Sequence, residues 1–322
     1  MIVKRVFFGT VNVRLIILIT NCSKIHIFTV LNETKMEDFK NIDLASWVKV
    51  GEGGNGSTYE DPARPEVILK VNKPRVNTLE TVSHEYEVSK AVGELGLPTP
   101  RMIEMVRVGS GYGIISERIV HKKSLSRICH DEPDRTEEMA RVLCEEGKKL
   151  FAAKCPAGMF PSRKEQLLGA MEKATFVSRK DMKLIRAFVD TIADSDTCVH
   201  GDFQTGNLIF SQGKYYWIDL DRFGHGDPMF DIGHLFLLCH YYASMKRVQD
   251  IFHMTFDQFK RFWDAFAKAY TGKDDHSGFD LMAGKFAALD MIVRIHFEAP
   301  NFAEKIFFGL YIKKIVKAYY RQ

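Results

Sequence analysis

Three oxygen-bearing side chains stand at a spacing suited to phosphate and metal chemistry. They lie in His200-Gly-Asp202-Phe-Gln-Thr-Gly-Asn207 and in Ile218-Asp219: a carboxylate, an amide oxygen five residues on, and a second carboxylate twelve beyond that. Residues 214–218 read as a strand and Ser211-Gln-Gly213 as the turn before it. A loop feeding such a hairpin brings Asp202, Asn207 and Asp219 to one point. One acid there can orient or deprotonate a hydroxyl. The amide and the other acid can hold Mg²⁺, which takes hard oxygen ligands. Phosphoryl transfer asks for little more than such positioning and charge neutralisation.

A second constellation precedes it. Gly51-Glu-Gly53-Gly-Asn-Gly56 is followed, fourteen residues after its last glycine, by Lys70. The glycines fall between two strands. That argues against a dinucleotide-binding fingerprint, which needs a strand before it and a helix after, and for a hairpin flap over phosphates. Lys70 closes the apolar run Val67-Ile-Leu69, an odd place for a solvated lysine if the strand is buried. Glu85, in the next helix, can pair with it and fix the ammonium toward a nucleotide's phosphates; Glu87 is its competitor.

The elements that must position these groups follow from the pattern. Residues 45–50, 57–60, 67–71, 101–108 and 112–116 read as strands and 78–95 as a helix, with Gly96 in the C-capping place. After residue 121 the pattern turns helical: 164–174, 180–193, 231–242, 256–270, 279–296 and 301–320. Another helix runs through Phe151, with Asp134 and Glu137 spaced as a capping box at its start. The expected fold class is therefore α+β: a small β-rich N-lobe and a larger, mainly helical C-lobe. The expected division is a nucleotide-binding lobe at 36–120 and a catalytic and acceptor-binding lobe at 121–322. Residues 1–35 stand apart, apolar but interrupted by Arg14 and Lys24. Three readings are open for them: a leader, with translation starting at Met36; a membrane or export segment; an extra strand of the domain.

This combination resembles the aminoglycoside phosphotransferase and choline kinase-like families, which share the protein-kinase-like fold. The resemblance rests on His200–Asn207, Ile218-Asp219 and Gly226-Asp227-Pro228 with Asp231, and covers about residues 44–270. It implies a kinase that moves the γ-phosphate of ATP, with Mg²⁺, to a hydroxyl of a small molecule. In that scheme Asp202 is the catalytic base or hydroxyl-orienting acid, and Asn207 and Asp219 are the metal ligands. Lys70 meets the nucleotide phosphates, Glu85 positions Lys70, and Gly51, Gly53 and Gly56 form the flap. The strand around Glu117 supplies the hinge whose backbone meets adenine.

Departures from the protein-kinase pattern narrow the acceptor. Gly201 stands between the His and the Asp where protein kinases carry Arg. Gln204 stands where they carry Lys, so charge compensation there must come from elsewhere. Asp219-Leu-Asp221 replaces D-F-G, and no A-P-E landmark follows. Asp221 is a rival or companion metal ligand. His200 reads as structural and Asp231 as a cap or loop anchor. His225, His234 and His240 do not read as a transition-metal set, since His234 and His240 fall on different helix faces. The alternative is a catalytically inactive nucleotide-binding scaffold or sensor of the same fold.

Composition bounds the rest. The 322 residues are 46% hydrophobic and 27% charged, with 45 basic and 41 acidic residues. Such a balance gives no cause to expect nucleic acid as a partner, and the core domain carries no span for a membrane. Residues 231–322 hold 13 basic and 10 acidic side chains, which disfavours a polycationic acceptor. The six cysteines are scattered with no C-x-x-C pair, as expected of a reduced, cytoplasmic protein.

Overall fold

The computed structural model describes residues 2–8, 11–19, 25–31, 39–52, 56–298 and 301–321; Met36 and Gly53 lie outside the described residues. Strands β1 (Ile2–Phe8), β2 (Val11–Ile19) and β3 (Ile25–Leu31) pair as an antiparallel sheet of their own. The main sheet of the N-lobe comprises β4 (Asn41–Ile42), β5 (Val48–Glu52), β6 (Gly56–Asp61), β7 (Arg64–Asn72), β8 (Met102–Val108) and β9 (Gly111–Glu117). Its order is β4-β8-β9-β7-β6-β5, antiparallel except at β4–β8. Between β7 and β8 runs helix α1 (Leu79–Glu94), capped by the Thr78 hydroxyl, with Gly96 in the left-handed region after it.

Strand alternation decides which face each residue serves. Leu69 and Ile115 are register partners and are buried with Val67 and Val106 on one face. One residue on, Lys70 is the partner of Ile114, which packs with Val82 of α1 on the other face. The period of two therefore sends the Lys70 side chain toward α1 while its apolar neighbours fill the opposite core.

The C-lobe contains α2 (Leu125–Asp131), α3 (Thr136–Ala152), α4 (Arg163–Glu172), α5 (Arg179–Val189), α6 (Met229–Leu237), α7 (Lys246–Phe252), α8 (Phe256–Thr271), α9 (Ser277–Glu298) and α10 (Phe302–Tyr319). Short strands lie among them: β10 (Lys123–Ser124), β11 (Cys198–Val199), β12 (Leu208–Ser211), β13 (Lys214–Trp217) and β14 (Gly224–His225). The result is the α+β, two-lobed, protein-kinase-like architecture. Two local expectations fail. Pro133–Arg135 forms a 3₁₀ turn with the proline at its start, so Asp134 lies inside the turn and α3 begins at Thr136 with no side-chain cap. The helix expected over 231–242 is α6 followed by a π-helical turn, Leu238–Tyr242.

Helix α6 is the axis of the C-lobe: every residue from Phe230 to Leu237 is buried. It crosses α9 closely at Gly233, where an added Cβ would stand 2.5 Å from Phe286 Cβ and 2.8 Å from its backbone carbon. Gly233→Ala is expected to force α9 outward and to cost about 1–3 kcal/mol by overpacking. Chemical denaturation read by circular dichroism checks this; an unchanged unfolding midpoint contradicts the crossing.

Candidate active site

The hairpin forms as its sequence demands. Leu208 pairs with Trp217 and Ser211 with Lys214, closing β12 on β13 through the Gly213 turn. The loop before it is held from beneath. Asp231, buried in α6, accepts the backbone N–H of His200 at 2.6 Å and of Gly201 at 2.8 Å. His200 is fully buried; its Nε2 lies 3.0 Å from the carbonyl of Ile218, and its Nδ1 accepts the N–H of Asp202 at 3.3 Å. Nδ1 is thus the unprotonated nitrogen and Nε2–H the donor. Gly201 has φ 78 and lies against the backbone of Arg222 with no room for a Cβ. That is why glycine occupies the place between His200 and Asp202.

From Asp202 a line of contacts runs through both lobes. Asn207 Nδ2 donates to Asp202 Oδ2 at 2.7 Å and to its carbonyl at 2.9 Å, which turns the Asn207 amide oxygen away from that carboxylate. The N–H of Ile218 donates to the Asn207 carbonyl at 3.0 Å, so Asp219 follows directly. Asp219 has φ 56, a left-handed conformation that is strained for a residue with a Cβ and that gathers at functional sites. Its Oδ1 accepts Lys70 Nζ at 3.1 Å, and Glu85 Oε1 accepts the same ammonium at 2.7 Å. Burial alone would lower the Lys70 pKa; Asp219 and Glu85 outweigh it and hold it well above the usual lysine value. Asn72 Nδ2 donates to the other oxygen of Glu85 at 3.2 Å. Glu87 is exposed and takes no part.

Asp202, Asn207, Asp219, Lys70 and Glu85 are therefore drawn together. Gly51 and Gly56 flank the loop on β5 and β6, and both are places where a Cβ would collide, with Thr58 Oγ1 and the Val71 carbonyl respectively. A cavity of about 200 Å³ opens between the lobes, lined among others by Lys70, Glu85, Ile114, Glu117, Ile119 and Asp219. The Glu117 N–H is engaged by the Arg101 carbonyl at 2.9 Å, so a ligand could meet its backbone only through the carbonyl. The Asp221 carboxyl is raised above its ordinary value, by burial first and against the pull of Arg222. Its backbone carbonyl lies 2.8 Å from His84 Nε2, tying α1 to this loop.

Several residues at the site had not been picked out from the sequence. Gln204 does not reach the acid: its amide oxygen folds back onto the N–H of Gly206. The positive charge at Asp202 comes instead from Arg294 on α9, whose Nη2 lies 2.7 Å from Asp202 Oδ1. Burial pushes the Asp202 pKa up, but Arg294 and then His234 more than reverse this and hold it well below the carboxylate range. A usable signal existed: Asp290 and Arg294 form an i, i+4 charge pair in an otherwise apolar stretch. Lys122, which lines the cavity, was likewise unmarked.

The oxygen donors suit a hard cation. Among the described residues no three His, Cys, Asp or Glu side chains cluster to make a site by themselves. The Asn207 amide oxygen and the Asp219 carboxylate would offer such a cation two protein ligands, the number Mg²⁺ commonly takes when phosphate oxygens and water complete its shell.

Comparison with known proteins gives the family and the fold. The model of a phosphotransferase enzyme family, APH, matches residues 49–270. A thermostable mutant of aminoglycoside phosphotransferase APH(4)-Ia in its apo form superposes with a TM-score of 0.56 at 14% identity, over 84% of this chain and 94% of that one. A choline/ethanolamine kinase family protein from Mesorhizobium loti gives 0.50 at 12% identity, over 84% and 87%. The GDP complex of an aminoglycoside 2'-phosphotransferase-IIIa mutant gives 0.54 at 14% identity, over 86% and 93%.

Proposed function

Because the chain belongs to the phosphotransferase enzyme family, we propose that it transfers the γ-phosphate of ATP, with Mg²⁺, to a hydroxyl of a small molecule. The observation that carries this is the pair of contacts Glu85–Lys70–Asp219 and Asn207–Asp202, linked by the Ile218 N–H on the Asn207 carbonyl, which sets a cation of the N-lobe against acids of the C-lobe at a cleft. Two solved relatives, ternary complexes of APH(4)-Ia mutants with ADP or AMP-PNP and hygromycin B, support a nucleotide in such a cleft.

In this reading the adenine ring occupies the cavity against Ile114, Glu117 and Ile119. Lys70, fixed by Glu85, holds phosphate oxygens, and Gly51, Gly53 and Gly56 form the flap above them. Asn207 and Asp219 would hold Mg²⁺, which neutralises charge on the phosphates. Asp202 accepts the hydrogen bond of the acceptor hydroxyl and aims its oxygen at the γ-phosphorus. As that O–P bond forms, the bond to the β,γ-bridging oxygen breaks, ADP departs, and the hydroxyl proton passes to Asp202 and on to water. Positioning and charge neutralisation are what a loose phosphoryl transition state requires.

The test is a library of hydroxyl compounds, covering amino alcohols, sugars and aminoglycosides, assayed for acceptor-dependent ADP release with MgATP. Turnover with at least one acceptor is expected. Nucleotide binding without turnover on any acceptor would instead favour the inactive scaffold.

A further inference from the structure

Asp202 is gripped from behind by a buried group of side chains. Arg294 Nη2 lies 2.7 Å from Asp202 Oδ1 and 3.1 Å from His234 Nε2. Arg294 Nε donates to Asp290 Oδ2 at 2.8 Å, and His234 Nδ1 is 2.9 Å from the same oxygen. His234 Nε2 also stands 3.4 Å from Asp202 Oδ1, so the imidazole touches both members of the Arg294–Asp202 pair as well as Asp290. Side-chain exposure rises from 4% at Asp290 through 7% at His234 and 13% at Arg294 to 26% at Asp202. The group is rooted in the α6–α9 core and ends on the carboxylate.

We propose that Arg294, braced by Asp290 and His234, is the positioning residue of the transfer. With Asn207 on the other oxygen, it fixes the plane of the carboxylate. This rests on Asp202 being the group that meets the acceptor hydroxyl. Asp202 then acts chiefly as an aimed acceptor of the hydroxyl's hydrogen bond. The groups facing Asp202 are Arg294 from α9, His234 from α6, Asn207 and His200 of its own loop, and Arg222 and Asp221 of the segment after β13. Of these, Arg294 donates to its Oδ1 at 2.7 Å.

The experiment compares the full chain with Arg294→Gln and Arg294→Lys, by the crystal structure of each and by steady-state ADP release with MgATP. In Arg294→Gln the Asp202 carboxylate is expected to turn out of the plane set by Arg294 and Asn207, and kcat, with water or the acceptor found by screening, to fall about 10–100-fold, with KM for ATP unchanged. Arg294→Lys is expected to restore part of the kcat, which replacement of a merely structural residue does not do. An Asp202 carboxylate left in place, or wild-type kcat, in Arg294→Gln overturns the proposal. Should Arg294→Gln fail to fold, Arg294→Lys decides: a displaced carboxylate with lowered kcat supports the proposal, and a wild-type carboxylate and kcat overturn it. The carboxylate's orientation is read without turnover, so the proposal is decided even if wild-type chain turns over no acceptor and the phosphotransferase reading fails.

Discussion

Replacing Asp202 by Asn is expected to lower kcat for phosphotransfer by about 10²–10⁴-fold, the usual contribution of a positioned acid or base. The substitution keeps the side-chain shape and removes the charge. It also breaks the symmetry on which the site depends. Asp202 accepts on both oxygens, from Arg294 on one and Asn207 on the other. An amide in its place must turn its NH₂ toward one of these two donors, so the group loses either its hold from α9 or its hold on Asn207. MgADP affinity is expected to stay near wild type, since the nucleotide cavity is lined by other residues. Steady-state ADP release with the acceptor found by screening, beside calorimetric titration of MgADP, checks both halves. An Asp202→Asn chain that turns over at the wild-type rate removes Asp202 from the reaction.

Asp219→Asn is expected to cost about 10²–10³-fold in kcat, the scale of losing one group that stabilises charge at the transferring centre. The more diagnostic result lies in binding. Wild-type chain should bind ADP more tightly with Mg²⁺ than with EDTA, and the variant should show little difference. A variant that keeps the full Mg²⁺ preference passes the metal to Asp221, two residues on. The structure favours Asp219 by its neighbours. Asp219 directly follows the residue bonded to the Asn207 carbonyl and faces Lys70.

Much of the site was legible because its parts are local. Asp202 and Asn207 share one loop, and the β12–β13 hairpin carries the chain from Asn207 back to Asp219 with a turn that its glycine announces. Lys70 stood out as a charge at the end of an apolar strand, and the strand period alone sends it to the face opposite Leu69. The glycine at 201 was read only as a departure from protein kinases. Its reason, a left-handed backbone pressed on Arg222, is a matter of packing. The start of α3 was misplaced because a proline drew the preceding residues into a 3₁₀ turn, a competition between two local signals that spacing does not decide.

Local spacing and periodicity determined the two-lobed class, the acid-bearing loop, and the pairing of Lys70 with a glutamate on the next helix, because each depends on residues joined by one turn or one element. Only the tertiary structure decided what stands behind Asp202. Arg294 lies 92 residues downstream of it and His234 lies 56 before Asp290. The crossing of α6 over α9 at Gly233 brings them together. A salt bridge between distant segments leaves no periodic mark in the chain, since its partners are chosen by how whole helices pack and not by the spacing of residues along one of them.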